Sequence, residues 1–489
     1  MQKYFRFLLF FLSFWTLRVE AQEFTGLNVG NFKGVDAITA NPSLALLQRS
    51  WLDIRLAGVG LFAENTYVYI PRADFNLTDL LRKNYQFPRY GEYARPVLAS
   101  AGSRLFYAYT DNRLLLPAVL YSDMSRRFAI AISLQSRFAG GAERIPYDVA
   151  NFSYYGLDYS RQHRIEYNDF NISGSSLAWS EIGVTVARVL RRERFDLWTA
   201  GVTFKYLLGH SGFYARMDNV RYIVLNDSTI NIRNLTGEAA FAVPMNYNTN
   251  TFPGGQPYIL GKGLGFDVGF TFLKTPREIK RLLPQRVCQT SFDDYVWRLG
   301  VSLLDVGAIT FLTNAQKHRI TNTQYFWENA NQISYQNVQE AVNDFSTRLT
   351  GSPQGTLVDT IFSIGLPTAL SIQYDRKLEG HWYIYAGALK ALPLMGDAAI
   401  HRPDQVMLIP RYETRYFEAA FPLTMYRLVR PRLGLSLRFG TFTLGTDNLG
   451  GFIRQGNFKS ADLYFSLRIS LRKGHCWYGK PSDPCYSTY

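Results

Sequence analysis

The sequence is poor in cysteine, in charged residues and in long apolar runs. Its 489 residues include 3 Cys, and 19% of them are charged, against about a quarter in typical soluble proteins. So few cysteines exclude a disulfide scaffold. After residue 22 no run of about 18 apolar residues occurs, which excludes helical transmembrane spans. If this protein enters a membrane, it does so as β-strands.

The abundant residues are aromatic residues and glycine. Aromatic side chains make up 15% of the chain, and there are 38 Gly. Strands favour aromatic residues and turns require glycine, so this composition favours a β-rich fold. No Pro/Gly/Ser-rich linker or charge block divides the chain. We therefore expect a single β-domain.

The first 21 residues have the layout of a secretory signal peptide. Lys3 and Arg6 precede an apolar run, and Ala21 completes a small-residue cleavage pattern before Gln22. A retained anchor is disfavoured, because a spanning helix needs about 18 apolar residues and this run is shorter. We therefore expect an exported protein. The full sequence carries a formal net charge of +14, and this positive charge favours a lipid surface rather than nucleic acid as the partner of the protein.

Apolar and polar residues alternate with a period of two in many segments. In segment 461–471 the apolar residues occupy every second position from Leu463 to Leu471, and Arg468 lies on the other face. The same alternation covers 128–138, 200–206, 264–272, 299–303 and 433–441. Each of these segments predicts a β-strand with one apolar and one polar face.

A membrane barrel accounts for these segments better than a soluble sandwich. Apart from the shorter 200–206 and 299–303, they run for about 9–11 residues, the length of a tilted membrane-crossing strand, whereas soluble strands average about 5–6. Their second face carries Gly, Ser, Thr and charged residues, which suit a polar lumen. We predict an all-β, transmembrane antiparallel β-barrel of about 14 strands, an even number as in bacterial single-chain barrels.

The predicted domain boundaries follow from these patterns. The signal peptide covers 1–21, an N-terminal plug or hatch segment covers 22–50, the barrel covers 51–472, and a tail covers 473–489. Long polar stretches at 217–257 and 312–358 are expected to be outer loops, because turns at the periplasmic end are short.

Three short helices are predicted outside the strands. Asn41 can cap a helix over 42–48 with Pro42 at its first position. An apolar stripe predicts a second helix from about residue 336 to 349. A capping box that begins at Thr275 predicts a third, to about residue 283.

Charged residues within the predicted strands are expected to face the lumen. Arg411, Glu413 and Arg415 alternate along one segment, so we expect them on one side of it, in a charge ladder with Arg438 and Asp267. Because buried charges are normally paired, a salt-bridged filling is favoured over a substrate-selective ring. The predicted lumen-facing charges are Lys205, Asp267, Arg411, Glu413, Arg415, Arg438 and Arg468.

The Asn-Pro-Ser element at 41–43, followed by this aromatic-rich strand pattern, resembles the FadL-like outer-membrane proteins, including the PorV branch of Bacteroidetes. The segments 261–267, 366–369 and 409–413 resemble an uncharacterised Bacteroidetes family of such barrels, a family of unknown function. The FadL resemblance implies a 14-stranded barrel in the cell outer membrane and a hatch marked by Asn41 and Pro42. It also implies passive uptake or binding of a hydrophobic small molecule. Ser43 stands where the family usually has Ala.

The PorV branch implies a different role. There the barrel is a non-transporting partner subunit of the type 9 secretion machinery or of another envelope complex. The two alternatives differ in what the barrel holds. An apolar pocket would favour uptake, whereas a filled lumen with large ordered loops would favour the partner role.

No enzyme or metal signature is present. The six His show no His-x-x-x-His spacing, and 209–212 lacks the Gly-x-Ser-x-Gly pattern. We therefore predict no catalytic residue, no metal site and no cofactor. In the tail, Cys476 and Cys485 are expected to form a disulfide in an oxidising compartment, although Cys288 could pair with either of them.

Overall fold

The computed structural model describes residues 24–471, apart from 76, 83–84, 92–93, 103–104, 124–125, 254, 277–294, 333, 428–429 and 454–455. The predicted signal peptide, the tail with Cys476 and Cys485, Cys288 and most of the helix predicted from Thr275 lie outside these residues. No helix in the described part of the chain is long and apolar enough to span a membrane.

The described residues form mostly strands with a few short helices. The strands are β1 (Leu52–Asn65), β2 (Val68–Tyr69), β3 (Leu98–Ala99), β4 (Phe106–Ser122), β5 (Phe128–Ile145), β6 (Glu166–Glu193), β7 (Asp196–Val224), β8 (Ile230–Ala242), β9 (Gly261–Lys274), β10 (Trp297–Phe311), β11 (Ala315–Trp327), β12 (Leu357–Asp359), β13 (Phe362–Gly365), β14 (Ala369–Lys377), β15 (Trp382–Ala391), β16 (Gln405–Glu413), β17 (Phe417–Ala420), β18 (Leu423–Tyr426), β19 (Arg430–Leu433), β20 (Leu435–Phe439), β21 (Phe442–Thr446) and β22 (Ser460–Leu471). The α-helices are α1 (Thr25–Asn28), α2 (Tyr147–Tyr155) and α3 (Val338–Thr350). The 3-10 helices are Gly34–Thr39, Pro42–Leu46, Leu77–Leu81, Ser160–Gln162, Ala330–Gln332, Gly396–Ala398 and Leu449–Gly451.

The strands close into an antiparallel barrel of 14 positions. The first ten positions of the ring are β1, β4, β5, β6, β7, β9, β10, β14, β15 and β16. The next two positions are each filled by two short strands, β17 with β18 and then β19 with β20, and the last two are β21 and β22. It closes because β1 pairs with β22 on one side and with β4 on the other. The predicted all-β barrel of about 14 strands is confirmed.

The two ends of the barrel differ. At one end, which we call the turn end, most neighbouring strands are joined by short turns such as 194–195, 378–381 and 414–416, and β9 and β10 are joined by the longer connection 275–296. At the opposite end, the loop end, the connections are long, among them 66–105, 146–165 and 392–404. Short turns at one end and longer loops at the other are typical of outer-membrane barrels.

The outer surface of the ring is apolar and the inner surface is polar. Ile132, Phe204 and Leu264 point outward and are 55%, 65% and 73% exposed, whereas Lys205 and Asp267 on the same strands are buried. Near the turn end, aromatic rings form a row from Trp198 to Tyr374, with Phe272 and Trp297 between them. An apolar band edged by aromatic residues is the pattern of a lipid-facing barrel.

Four strands continue past the ring at the loop end. The 29-residue β7 pairs with β9 along its first part and with β8 along its last, and β8 pairs with β11. We call the ends of β6 and β7, together with β8 and β11, the extension sheet. Helix α3 lies on this sheet and confirms the helix predicted from about residue 336 to 349.

The prediction that 217–257 and 312–358 are loops was wrong, because the extension sheet lies largely in these stretches. Irregular pairing explains the error. The register shifts between Met217 and Asn219, and again between Ile320 and Thr323. Each extra residue moves the following side chains to the other face of the sheet, so no continuous period of two remains in the sequence.

The prediction of one strand over 433–441 was also wrong. Strand β19 ends at Leu433, β20 begins at Leu435, and the chain turns at Gly440 with φ +56°. At the break, a Cβ on Gly434 would lie 2.5 Å from the carbonyl oxygen of Thr446. Only glycine permits this approach, so the wall bends there.

Candidate functional site

The N-terminal segment, residues 24–50, lies inside the ring. All its residues are buried except Thr39, Ala40 and Arg49, which are half-buried. The backbone N–H and the hydroxyl of Thr25 donate to the carboxylate of Asp447 at 2.9 and 2.7 Å. Farther along, Asn31 Nδ2 donates to Glu413 at 2.7 Å. The segment is thus held by polar groups of β16 and of the residue that follows β21.

Asn41 and Pro42 lie where the segment touches the wall most closely. Asn41 Oδ1 accepts from the backbone N–H of Ser43 at 3.0 Å and caps a 3-10 helix, Pro42–Leu46. This helix confirms the predicted helix start, although it ends two residues early. A Cβ on Gly201 would lie 2.5 Å from the carbonyl carbon of Pro42, and one on Gly269 would lie 2.0 Å from Asn41 Oδ1.

Ion pairs join the N-terminal segment to the wall. Asp36 accepts from Arg55 at 2.8 Å, from Arg468 at 3.0 Å and from the Ser466 hydroxyl at 2.8 Å. Farther round the ring, Glu418 of β17 binds Lys33 of the segment at 2.7 Å. Charges of the segment are therefore balanced by charges of the wall, which offsets the cost of burying both.

A second set of charges lies above the segment, toward the loop end. Asp305 accepts from Lys205 at 2.6 Å, from Arg137 at 3.1 Å and from Arg402 at 3.3 Å, and Lys205 also binds Asp267 at 2.8 Å. Arg402 comes from the loop-end connection 392–404, so this connection folds into the ring.

A third charge cluster is centred on Asp375 of β14. It accepts from Arg298 at 2.6 Å, from Arg411 at 2.7 Å and from the hydroxyl of Tyr295 at 2.8 Å, and Arg411 also binds Glu413. Together these clusters fill much of the interior with paired side chains rather than with an open polar channel.

Six of the seven charges predicted for the lumen are buried inside the ring: Lys205, Asp267, Arg411, Glu413, Arg438 and Arg468. They do not form one ladder, because Asp267 pairs with Lys205 whereas Arg438 pairs with Glu418 at 3.2 Å. The prediction for Arg415 was wrong. Strand β16 ends at Glu413, and Arg415 is exposed in the following turn.

The acidic partners of these cations were not predicted from the sequence; they are Asp36, Asp305, Asp375 and Glu418. Asp375 and Glu418 lie in strands, so the rule used for the other mid-strand charges could have found them. Asp305 lies at a register shift in β10, with φ +52°, and Asp36 lies outside the strands. No periodic pattern marks these two.

The clearest concave apolar site lies outside the ring, under helix α3. A cavity of about 390 Å³ separates α3 from the extension sheet. Its walls include the side chains of Met217, Phe241, Ile320, Trp327, Ala341 and Phe345. Pockets that bind small molecules measure about 300–1,000 Å³ and are mostly apolar.

The cavity lies on the outer side of the extension sheet, the side that faces away from the barrel core. In β7, Tyr214 points inward, since it packs with Phe311 and Ile364 in the core. Its neighbours along the strand, Phe213 and Ala215, therefore point outward. Phe213 is exposed, as are Phe204 and Tyr206 below it. An apolar surface thus leads from the outer face of the barrel toward the cavity.

The ionisable groups at the cavity either are paired or favour the neutral form. Burial raises the pKa of Glu238, but hydrogen bonds from Tyr214, Arg319 and Lys317 outweigh this and lower it to about 2. Burial lowers the pKa of His318, whose Nδ1 lies 3.0 Å from the hydroxyl of Thr356. Near neutral pH, His318 is uncharged and the Glu238 carboxylate is balanced by two cations.

Among the described residues, no group of three or more His, Cys, Asp or Glu side chains is arranged to hold a metal ion.

A family model described as "Family of unknown function (DUF5723)" matches residues 58–447. The chain belongs to this family. The expected membership of a family of unknown function is thereby confirmed, while the PorV branch and a Bacteroidetes origin stay predictions. No curated protein matches the chain.

Several solved structures are similar to this chain in fold. The Ralstonia pickettii toluene transporter TbuX is 9% identical, covers 91% of this chain and 96% of its own, and gives a TM-score of 0.38. A deletion mutant of the TodX monoaromatic hydrocarbon channel is 10% identical, covers 93% of this chain and 98% of its own, and gives a TM-score of 0.41. A Pseudomonas aeruginosa FadL homologue is 9% identical, covers 92% of this chain and 98% of its own, and gives a TM-score of 0.22.

Proposed function

We propose that the protein is an outer-membrane β-barrel that binds a hydrophobic small molecule at its loop end, as the first step of passive uptake. The observation that carries this proposal is the apolar cavity of about 390 Å³ between α3 and the extension sheet. A rigid, preformed apolar pocket binds an apolar molecule without the cost of ordering its walls.

The outer membrane is proposed from the surface of the barrel. Exposed Ile132, Phe204 and Leu264 belong to a broad apolar surface, which in water would be an aggregation liability. In a bilayer the same surface is solvated by lipid chains, and the aromatic row from Trp198 to Tyr374 lies at headgroup level. The predicted signal peptide over 1–21 is consistent with export to that membrane.

We propose that the N-terminal segment is a plug. Residues 24–50 fill the turn-end part of the ring and are bound to the wall through Asp36, Lys33 and Asn31. The connection 392–404 closes the ring from the loop end through Arg402. A molecule that crosses the barrel therefore needs the plug to move, so we propose that 22–50 gates uptake.

The cavity selects for an uncharged ligand. His318 in its wall is neutral, Glu238 is paired with two cations, and Arg216 is paired with Asp218 at 2.9 Å. None of these described groups offers a free charge to balance an ionised head. Burying an unpaired charge in such a site is costly, so a neutral apolar molecule is favoured. The partner role in a secretion or envelope complex stays an expectation of the PorV resemblance.

The test is site-resolved photolabelling with a neutral alkyl diazirine in protein reconstituted into phosphatidylcholine nanodiscs. We expect saturable labelling of peptides that carry Phe345 and Ile320, in addition to unsaturable labelling of the lipid-facing strands. Peptide mass spectrometry separates the two, because the cavity residues and the lipid-facing residues lie in different segments.

A cavity-filling variant provides the control. Ala341→Phe adds a ring inside the cavity and should lower saturable labelling about tenfold, since the probe and the ring compete for the same volume. Ala73→Phe makes the same change at an exposed loop position and should leave labelling unchanged. Equal saturable labelling in wild type and Ala341→Phe would refute the proposed site.

A further inference from the structure

Helix α3 separates two sites of opposite character. Its apolar face, with Ala341, Val342 and Phe345, lines the cavity. Its other face, with Asn343 and Thr347, lines an open groove of about 610 Å³. The groove walls are polar side chains, among them Asn248, Ser334, Asn337, Gln339, Asn343 and Thr347.

The groove offers mostly amides and hydroxyls, and its cation is already paired with a carboxylate. Its cation, Arg348, donates to Asp344 at 2.6 Å and to the hydroxyl of Tyr325 at 3.2 Å. The remaining carboxylate, Glu340, accepts from the backbone N–H of Gln336 at 2.8 Å. A carboxylate or phosphate head would meet a groove whose cation is already neutralised, whereas a hydroxyl-rich head can both donate to and accept from the amides.

The two sites meet at Tyr335. This residue lines both the cavity and the groove, and its hydroxyl donates to Asp344 at 2.7 Å. A second contact links them on the other side, where the guanidinium of Arg348 in the groove lies 5.6 Å from the ring centre of Trp327 in the cavity. An apolar chain in the cavity can therefore continue past Tyr335 into the polar groove.

We infer that the ligand is a neutral amphiphile, whose apolar tail occupies the cavity and whose hydroxyl-rich, sugar-like head occupies the groove beside Tyr335. This inference rests on the proposed function for the tail and adds the chemistry of the head. Two or three net hydrogen bonds from the groove to the head correspond to about tenfold tighter binding than for the tail alone.

The experiment compares four photolabels that share one alkyl diazirine chain. Their heads are a β-glucoside, a carboxylate, a trimethylammonium and none. With wild-type protein in phosphatidylcholine nanodiscs, we expect the glucoside to reach half-saturation of the Phe345 peptide at about a tenth of the concentration that the headless probe needs. The carboxylate should label less than the headless probe.

A groove variant separates the head from the tail. Asn343→Leu removes a groove amide and should reduce the advantage of the glucoside, while the headless probe still labels with wild-type affinity and reports that the cavity is folded. Asn331→Leu makes the same change at an exposed position outside the groove and should preserve the advantage.

The outcomes distinguish this inference from the function on which it rests. If the headless probe labels the cavity and the glucoside is no better, or the trimethylammonium probe is as good, the head assignment is wrong and the proposed function stands. If no probe labels the cavity saturably, both fail. A glucoside advantage that survives Asn343→Leu unchanged would also overturn the groove as the head site.

Discussion

At the scale of single residues, Asp36 joins the N-terminal segment to the wall. Its carboxylate accepts from Arg55 and Arg468, both of which are buried, and from the hydroxyl of Ser466. Asp53 also lies near Arg468, at 3.5 Å, but it is shared with the backbone N–H of Val35. Asp36 therefore balances the charges of both Arg55 and Arg468.

We predict that Asp36→Asn destabilises the barrel. The amide keeps the shape of the carboxylate but removes its charge, which leaves Arg55 and Arg468 undercompensated in the interior. Breaking a buried ion pair on one side costs about 3–5 kcal/mol. Urea unfolding in phosphatidylcholine vesicles measures the change in the free energy of unfolding.

Asp227→Asn is the matched control for this prediction. Asp227 is exposed in the turn between β7 and β8, so the same substitution should change the free energy of unfolding by no more than about 0.5 kcal/mol. A loss in Asp36→Asn as small as that of the control would show that the wall holds the segment by other contacts.

At the scale of elements, the 3-10 helix Pro42–Leu46 packs against β7 and β9 at positions where these strands carry glycine. Gly201 of β7 faces the backbone of Pro42, and Gly269 of β9 faces the amide of Asn41. A side chain at either position would collide with backbone or with the capping amide. Because the wall is fixed by pairing on both sides, the N-terminal segment is the part that has to move.

Gly201→Val therefore should displace the N-terminal segment while the ring stays closed. We expect hydrogen exchange in residues 36–48 to become about tenfold faster, since the segment loses its docking contacts. We also expect ion conductance in planar bilayers to rise above that of the wild type, because the turn end of the lumen opens.

The neighbouring position supplies the control for this element. Ala200→Val adds bulk on the outward face of the same strand and should change neither exchange nor conductance. If Gly201→Val instead abolished the barrel, as seen by loss of exchange protection in β6 and β10, the segment would be a structural part of the wall rather than a plug.

At the scale of the whole molecule, the outward apolar band determines where the protein is stable. Ile132, the fifth residue of β5, is 55% exposed, with Val184 of β6 and Val119 of β4 beside it. In lipid these side chains are solvated, and in water they are not. Apolar side chains on the outside and charged side chains in the interior are the reverse of the arrangement in a soluble protein.

We predict that Ile132→Arg lowers the free energy of unfolding in phosphatidylcholine vesicles by about 2–4 kcal/mol, the cost of a cation near the bilayer midplane. Thr321→Arg, at an exposed position of the extension sheet, should cost little, because that residue lies beyond the ring and in water. Equal costs at the two positions would contradict a membrane-embedded belt.

Much of the fold could be predicted because strands obey a local rule. The segments at 264–272 and 461–471 alternate without interruption, and both are strands of the ring. The rule fails where the pairing is irregular, as at Met217 and Ile320, because one extra residue exchanges the faces. The extension sheet and the cavity beneath α3 were missed for this reason.

The sequence by itself determined several strands of the ring with their inward and outward faces, among them 264–272 and 461–471. It also determined the helix start at Asn41 and the helix near 338, because each of these features depends on residues within a few positions of one another. Tertiary structure alone decided which charges pair. Asp36 meets Arg468 from the other end of the chain, and Lys205 meets Asp305 across a bulge. Such partners are set by barrel closure, which brings distant strands together and leaves no periodic mark in the sequence.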